Sequence, residues 1–298
     1  MNYHESVLLK ESVGYLSVKS DGKYADATFG GGGHSVLIAD QLKTGMVYGF
    51  DQDEDALNAF SGHPNITVIR SNFRFIRNFL RYYNALPVDG IIADLGISSH
   101  HIETPGRGFS FRFDAPLDMR MNTAAEFNAR QLVAEYSTEE LTRIFRTYGE
   151  VDQAWKIAVA IEKERREKPV ETTFQLAAIV SRFARPGREN SLLAQVFQSI
   201  RIEVNHEMEA LEEFLNQSYE CLKPGGRLAI ISFHSLEDRM VKAFFKKQKS
   251  QDSFAENIMG RKDLMWKEIT RGAVAPTDEE VEKNPRSRSA RLRVGEKI

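Results

Sequence analysis

The 298-residue chain carries 40 Lys/Arg against 42 Asp/Glu, a net charge of -2, and its 42% hydrophobic and 28% charged residues describe a globular protein rather than a disordered one. At about 100–200 residues per domain, that length predicts two domains or one domain with a large insertion. Mean hydropathy is -0.40, no apolar run approaches the ~18 residues of a membrane helix, the polar start MNYHESVLLKESVGYL does not read as a signal peptide, and the single Cys221 excludes an internal disulfide and a cysteine-rich zinc module; the expectation is a soluble cytoplasmic protein.

In chain order, Tyr24–Gly30 is an apolar run that ends in glycines, and Met46–Asp51, Asn65–Arg70 and Val88–Gly96 follow as further buried-strand runs. Helical stretches at Ser35–Leu42, Glu54–Phe60 and Phe73–Tyr83 separate them, so βαβ units and a parallel sheet are expected. The pattern breaks from about Glu103 to Asn205. A Gly/Phe/Arg segment, Pro105–Met121, leads into helical candidates at Glu126–Tyr136, Thr138–Tyr148, Val151–Glu167, Thr173–Phe183 and Ser191–Asn205. Ser137–Glu140 and Glu171–Thr173 are helix-start signals. The reading is a helical insertion, 104–205, within a sheet domain made of 1–103 and 206–298.

The α/β pattern then resumes. Glu207–Cys221 has helical periodicity and stops at the turn Lys223-Pro224-Gly225-Gly226; Gly226–Phe233 reads as a strand and Ser235–Lys247 as a helix. Gln248–Asn284 is polar and loop-rich, with one strand candidate at Leu264–Ile269, and Ala290–Val294 reads as a last strand. From Arg239 onward there are fifteen Lys/Arg and nine Asp/Glu, so this end is basic while the remainder is acidic. Such a local surface can bind phosphates although the total charge is near zero. Arg286, Arg288, Arg291 and Arg293 are its sharpest cluster; phosphate binding and salt bridges to the acidic run Asp278–Glu282 are the two readings.

The glycine run Gly30–Gly33 lies between a strand and a helix, where glycine turns tightly and exposes amides at a helix start. Asp51 ends the next strand about twenty residues on, placed to accept from ribose hydroxyls. Together they point to a nucleoside cofactor, without choosing between NAD and S-adenosylmethionine. Ser35 stands where a dinucleotide fingerprint has its third Gly or Ala, and Lys-Pro-Gly-Gly before a strand is common late in methyltransferase sheets. Phe73 either covers an adenine face or belongs to the core.

Seven motifs then stand in one order: Asp26-Ala27-Thr28-Phe29-Gly30, Gly32-Gly33-His34-Ser35, Asp94-Leu95-Gly96-Ile97-Ser98-Ser99, Arg107-Gly108-Phe109-Ser110-Phe111, Pro116–Met121, Ile231–Arg239 and Asn284–Ser289. The chain, from His4 to Leu292, closely resembles the bacterial ribosomal RNA small-subunit methyltransferase H (MraW) family. The resemblance implies a class I, Rossmann-like S-adenosylmethionine-dependent methyltransferase sheet interrupted by a helical substrate-recognition domain. It implies transfer of a methyl group to the exocyclic N4 of a cytidine in 16S rRNA, at the P site of the decoding centre; the small ribosomal subunit is the implied partner, with no membrane and no DNA. By motif, the cofactor residues are Gly32, Gly33, His34, Asp51, Phe73, Asp94 and His101. Members usually have Gln at the last position, after Ser-Ser-Pro; here the stretch is Ser98-Ser99-His100-His101, and an imidazole nitrogen can replace one amide hydrogen bond.

The cytosine N4 lone pair is delocalised into the ring, so the site needs acceptors that localise and orient it and geometry that aligns it with the methyl group. Asp94 is the first candidate, binding cofactor or accepting from the amine, with Ser98 and Ser99 next. Phe109, Phe111 and Phe113 alternate and would share a face if extended; with Arg107, Arg112 and Arg120 they suit an unstacked base and its phosphates, or anchor a loop in the core. His234 follows a strand at its carboxyl end, where open α/β sheets place ligands, and Arg286 and Arg288 are further RNA candidates. His4, His63 and His206 show no metal-ligand spacing, so no protein-bound metal is expected.

Overall fold

The structure, a computed structural model, describes residues 6–246 and 264–298. The motif start at His4 and the end of the Ser235–Lys247 helix lie outside them. The first half runs α1 (Leu9–Leu16), β1 (Lys23–Asp26), α2 (Gly33–Ala39), β2 (Met46–Asp51), α3 (Glu54–Asn58), β3 (Ile66–Arg70), α4 (Ile76–Tyr82) and β4 (Val88–Asp94). Then come α5 (Ser99–Glu103), α6 (Ala129–Glu135), α7 (Thr138–Gly149), α8 (Ala154–Glu167), α9 (Thr173–Ser181), α10 (Glu189–Asn205) and α11 (Glu207–Cys221). The chain closes with β5 (Leu222–Ser232), α12 (Ser235–Phe245), β6 (Trp266–Glu268), α13 (Asp278–Lys283) and β7 (Arg291–Lys297).

The chain divides into two compact units, Met1–Gly96 with Glu209–Ile298, and Ile97–Met208. In the first, seven strands form one sheet in the order β3-β2-β1-β4-β5-β7-β6. Strands β1 to β5 are parallel, and β7 slots antiparallel between β5 and β6. This is the Rossmann-like sheet of class I methyltransferases. The near-continuous apolar reading of β4 follows from burial on both faces; every residue from Val88 to Ala93 is buried. Tyr24, Ile38, Val47, Ile92, Ile231 and Leu292 belong to one core cluster.

Several boundaries differ from the periodicity reading. β1 ends at Asp26, because Thr28-Phe29-Gly30 leaves the sheet to begin the glycine loop. The expected helix Phe73–Tyr83 opens as a tight 3-10 turn, Phe73–Phe75, before α4. The Lys223–Gly226 turn is a bulge inside β5, whose ladder skips from Val88↔Leu222 to Gly90↔Arg227. Asp89 pins that bulge by accepting from Lys223 Nζ at 2.8 Å and Lys19 Nζ at 3.2 Å. Two short helices, α1 and α13, form where only polar sequence was read.

The second unit is helical. α10 packs on α6, α7 and α9, and α8 packs on α7 and α9. Ser137 and Thr172 are capping-box residues, paired with Glu140 and Gln175, and Asn128 with Gln131 caps α6 the same way. The loop 107–121 ties itself together. Arg107 Nη2 donates to the carbonyls of Arg120 and Met121, both at 3.0 Å. Asn205, at the end of α10, accepts from Met121 N at 2.7 Å and donates to Met119 O at 2.8 Å. Gly108 needs its positive φ of 70°, and a Cβ there would meet Pro116 O at 2.3 Å.

Candidate active site

The glycine loop is built on Phe29. Its ring lies under Gly32 and over Gly49 of β2, where added Cβ atoms would come within 2.9 and 2.3 Å of it, so both positions exclude a side chain. Gly30 and Gly32 take φ of 51° and 78°, which L residues rarely adopt. Asp51, closing β2, ties the loop down: Oδ2 accepts from Gly30 N and Oδ1 from Asp53 N, both at 2.8 Å. Ser35 explains the departure from the dinucleotide fingerprint, because its hydroxyl donates to the buried Asp26 at 2.7 Å.

Gly33 and His34 hold the N-terminal segment. A Cβ on Gly33 would meet Ser6 Oγ at 2.2 Å, and His34 Nε2 lies 3.2 Å from Val7 O. Burial pushes the His34 pKa down to about 4, so the ring is neutral and its side chain is committed to the chain rather than to a cofactor. Leu8, at a left-handed φ of 49°, donates its N–H to Glu280 Oε1 at 2.8 Å, so α13 clamps the same segment from the other side. Phe73 is half-buried, its ring edge-on to Phe214 of α11 at 5.2 Å. The neighbouring Arg74 is fixed there by Glu213 and by Gln217, which donates to its carbonyl.

Asp94 closes β4, and its N–H donates to Thr28 Oγ1 at 2.6 Å. Its Oδ1 is buried without a hydrogen-bond partner. Burial, with the charges of Asp26, Glu237 and Glu280, holds its pKa well above the carboxylate range. Burial likewise pushes Asp26 up to about 6. A carboxylate pocket of this kind favours a cation or an N–H donor. Asp26, Thr28, Glu237 and Glu280 were not among the site residues chosen from the sequence; they come from three separate stretches, and the fold gathers them around Asp94. Among the described residues, no group of three or more His, Cys, Asp or Glu is arranged to hold a metal ion.

His234 caps α12, with Nδ1 accepting from Glu237 N at 3.4 Å, while Glu237 Oε2 accepts from Phe233 N at 2.8 Å. Arg286 and Arg288 lie in the turn Pro285–Ser289 just before β7. Because β7 runs antiparallel, with Arg291 opposite Ser232, that turn sits at the carboxyl end of β5. Arg288 is exposed, whereas Arg293 is spent on Asp238 at 2.7 and 3.0 Å.

The remaining candidates belong to the helical unit. Ser98 and His101 form a capping box at the start of α5, with Ser98 Oγ 3.2 Å from His101 Nδ1, and the His101 ring stacks at 4.9 Å on Phe109. Ser99 is the first residue of α5. The 109–113 stretch is not extended, so the three phenylalanines do not share a face. Phe109 is buried, Phe111 packs edge-on against Phe197 at 5.4 Å, and Phe113 is 46% exposed. Arg107 is buried on its carbonyls, and Arg120 pairs with Asp118 at 2.6 Å; neither offers an open guanidinium, whereas Arg112 is exposed. A groove of about 540 Å³ beside this loop carries Asp114, Asp118 and Glu171 against Arg130, the wrong balance for phosphate.

The model of the MraW methylase family matches residues 1–298. A curated relative from Parabacteroides distasonis, named Ribosomal RNA small subunit methyltransferase H, is 47% identical over 99% of this chain and 98% of its own. Relatives of the same name from Amoebophilus asiaticus and Cytophaga hutchinsonii are 50% and 49% identical, each over 99% of this chain and over 96% and 99% of their own. Among solved structures, an rRNA methylase from Streptococcus thermophilus is 13% identical, with a TM-score of 0.43 over 97% of this chain and 95% of that one. The chain belongs to the MraW methylase family.

Proposed function

We propose that this protein methylates the exocyclic N4 of a cytidine in 16S rRNA, at the P site of the decoding centre, and that it works in the cytoplasm on the small ribosomal subunit. S-adenosylmethionine is the cofactor. The relatives' shared name supports an rRNA substrate, and the observation that carries the chemistry is the partnerless buried Oδ1 of Asp94. The helical unit is the substrate-recognition domain in this reading.

The residues present fit the cofactor. The loop turns tightly between β1 and α2, with positive φ at Gly30 and Gly32, Asp51 closes β2 beside it, and Phe73 offers a ring for the adenine. The carboxylates of Asp26, Asp94, Glu237 and Glu280 suit a group that carries positive charge. When bound, S-adenosylmethionine supplies an activated methyl group on a sulfonium.

Asp94 Oδ1 accepts from one N4–H of the cytosine, which draws the lone pair out of the ring and orients it. Held this way by Asp94, the N4 lone pair would face the methyl group that the bound cofactor would supply. The methylated nitrogen then gives up one proton, which Asp94 receives and passes to water. A carboxyl whose surroundings already favour protonation is suited to that transfer. Arg286 and Arg288 hold phosphates at the strand ends, with Arg112 and the exposed Phe113 as contacts from the helical unit.

The test is transfer of labelled methyl to small subunits from cells lacking this protein, followed by nucleoside mass spectrometry. Wild type yields N4-methylcytidine; Asp94→Ala reduces the rate by at least about 100-fold. Cofactor binding without label on the subunit would show that the rRNA assignment is wrong.

A further inference from the structure

His234 follows β5 and has two ring nitrogens in different situations. Nδ1 accepts the N–H of Glu237 and so caps α12, which leaves the neutral ring's proton on Nε2. Nε2 is buried and makes no hydrogen bond; Glu237 Oε1 lies 3.0 Å away but off the donor axis. The side chain is only 10% exposed. A buried donor left in this state calls for an acceptor.

A matching acceptor stands on the neighbouring strand. Asp94 is opposite Ile231, Leu95 N donates to Ile231 O at 2.9 Å, and Gly96 lies against the Phe233 ring. The ends of β4 and β5 therefore present one partnerless acceptor, Asp94 Oδ1, and one partnerless donor, His234 Nε2. Cytosine carries the complementary pair side by side, an N4–H donor and the N3 acceptor. Uracil carries the reverse, O4 and N3–H.

We propose that His234 reads the target base, donating from Nε2 to cytosine N3 while Asp94 accepts from N4. This rests on the rRNA cytidine reading above and adds the residue that fixes the base's edge. The contact pins the ring so that N4 faces the methyl group, and it leaves a pyrimidine with N3–H facing a donor.

The two nitrogens can be separated by substitution. In His234→Asn the amide oxygen takes the place of Nδ1 and keeps the cap, but nothing reaches the Nε2 position. In His234→Gln the amide N–H reaches the Nε2 position and the cap is lost. Expected for His234→Asn are an unchanged melting temperature, unchanged S-adenosylmethionine binding by calorimetry, and single-turnover methyl transfer to unmethylated small subunits slower by about 10- to 100-fold. Expected for His234→Gln is a lower melting temperature with transfer within about threefold of wild type. Full transfer by His234→Asn overturns the proposal and leaves His234 a capping residue only. A wild-type protein that binds the cofactor but labels no subunit overturns the cytidine reading itself, and the base contact falls with it.

Discussion

Asp51 and Asp94 are both strand-end carboxylates, yet their surroundings set them apart. Asp51 accepts from the Gly30 and Asp53 amides, so its loss frees the glycine loop. Asp51→Ala is expected to weaken S-adenosylmethionine and S-adenosylhomocysteine alike, by about 10- to 100-fold in calorimetric titration. Asp94→Asn removes a carboxyl that a bound cation would ionise, and it is expected to weaken S-adenosylmethionine about tenfold more than the uncharged thioether product; equal losses for the two ligands would argue against the carboxylate's electrostatic part. The place of Asp51 beside the glycine loop was legible in the sequence because the signal is local: a glycine loop, then an acid about twenty residues later. The state of Asp94 was not legible, since its partners in charge sit at positions 26, 237 and 280. Of the two readings of Phe109, Phe111 and Phe113, the structure shows the anchored loop: Arg107 and Asn205 fold the stretch through bonds to the backbone that leave no periodic trace, and Phe109 is buried.

At the scale of elements, the buried Asp26 joins β1 to α2 and the buried His34 joins α2 to the 6–8 segment, and the two respond to pH in opposite directions. Asp26, raised to about 6, keeps a proton in the fold that the unfolded chain releases near 4; its contribution grows as pH falls through 6 and is lost as pH rises through it. His34, lowered to about 4, is neutral in the fold, so its contribution holds above about 6.5 and is lost as pH falls toward 4. Between pH 7 and 5 the first adds about 1 kcal/mol and the second removes about 2 kcal/mol. Asp26→Asn is therefore expected to lose about 1 kcal/mol more stability than wild type over that interval, measured by urea denaturation at both pH values. Glu280→Ala leaves the Leu8 N–H without its acceptor, at a cost of about 1–3 kcal/mol; it is also expected to weaken cofactor binding through the loosened 6–8 segment, measured by denaturant midpoint and titration. The long elements were readable: β2 and α11 have the bounds that periodicity gives. α13 was not, because its acidic run looks the same in a loop, and only Thr277 at its start marks a cap.

For the molecule as a whole, charge is sorted along the chain rather than present in excess. The basic carboxyl-terminal part brings Arg286 and Arg288 to the ligand end of the sheet because β7 runs against its neighbours. The Arg286→Ala/Arg288→Ala double variant is expected to bind small subunits more weakly and to lower the salt dependence of binding by roughly one unit per lost phosphate contact, with cofactor affinity unchanged. A salt dependence identical to wild type would remove these arginines from the interface. Among the described residues, no helix is long and apolar enough to cross a membrane.

The bond between Leu8 and Glu280 also bears on how the protein is made. Synthesis is vectorial, and earlier segments generally fold as they emerge. Here the segment beside the glycine loop is bonded to a residue made 272 positions later. Strand β6 pairs only with β7, so it waits for residues 295–297. A chain that has not reached residue 280 lacks this clamp on its glycine loop. The clamp on the glycine loop therefore closes only after residue 280 has emerged.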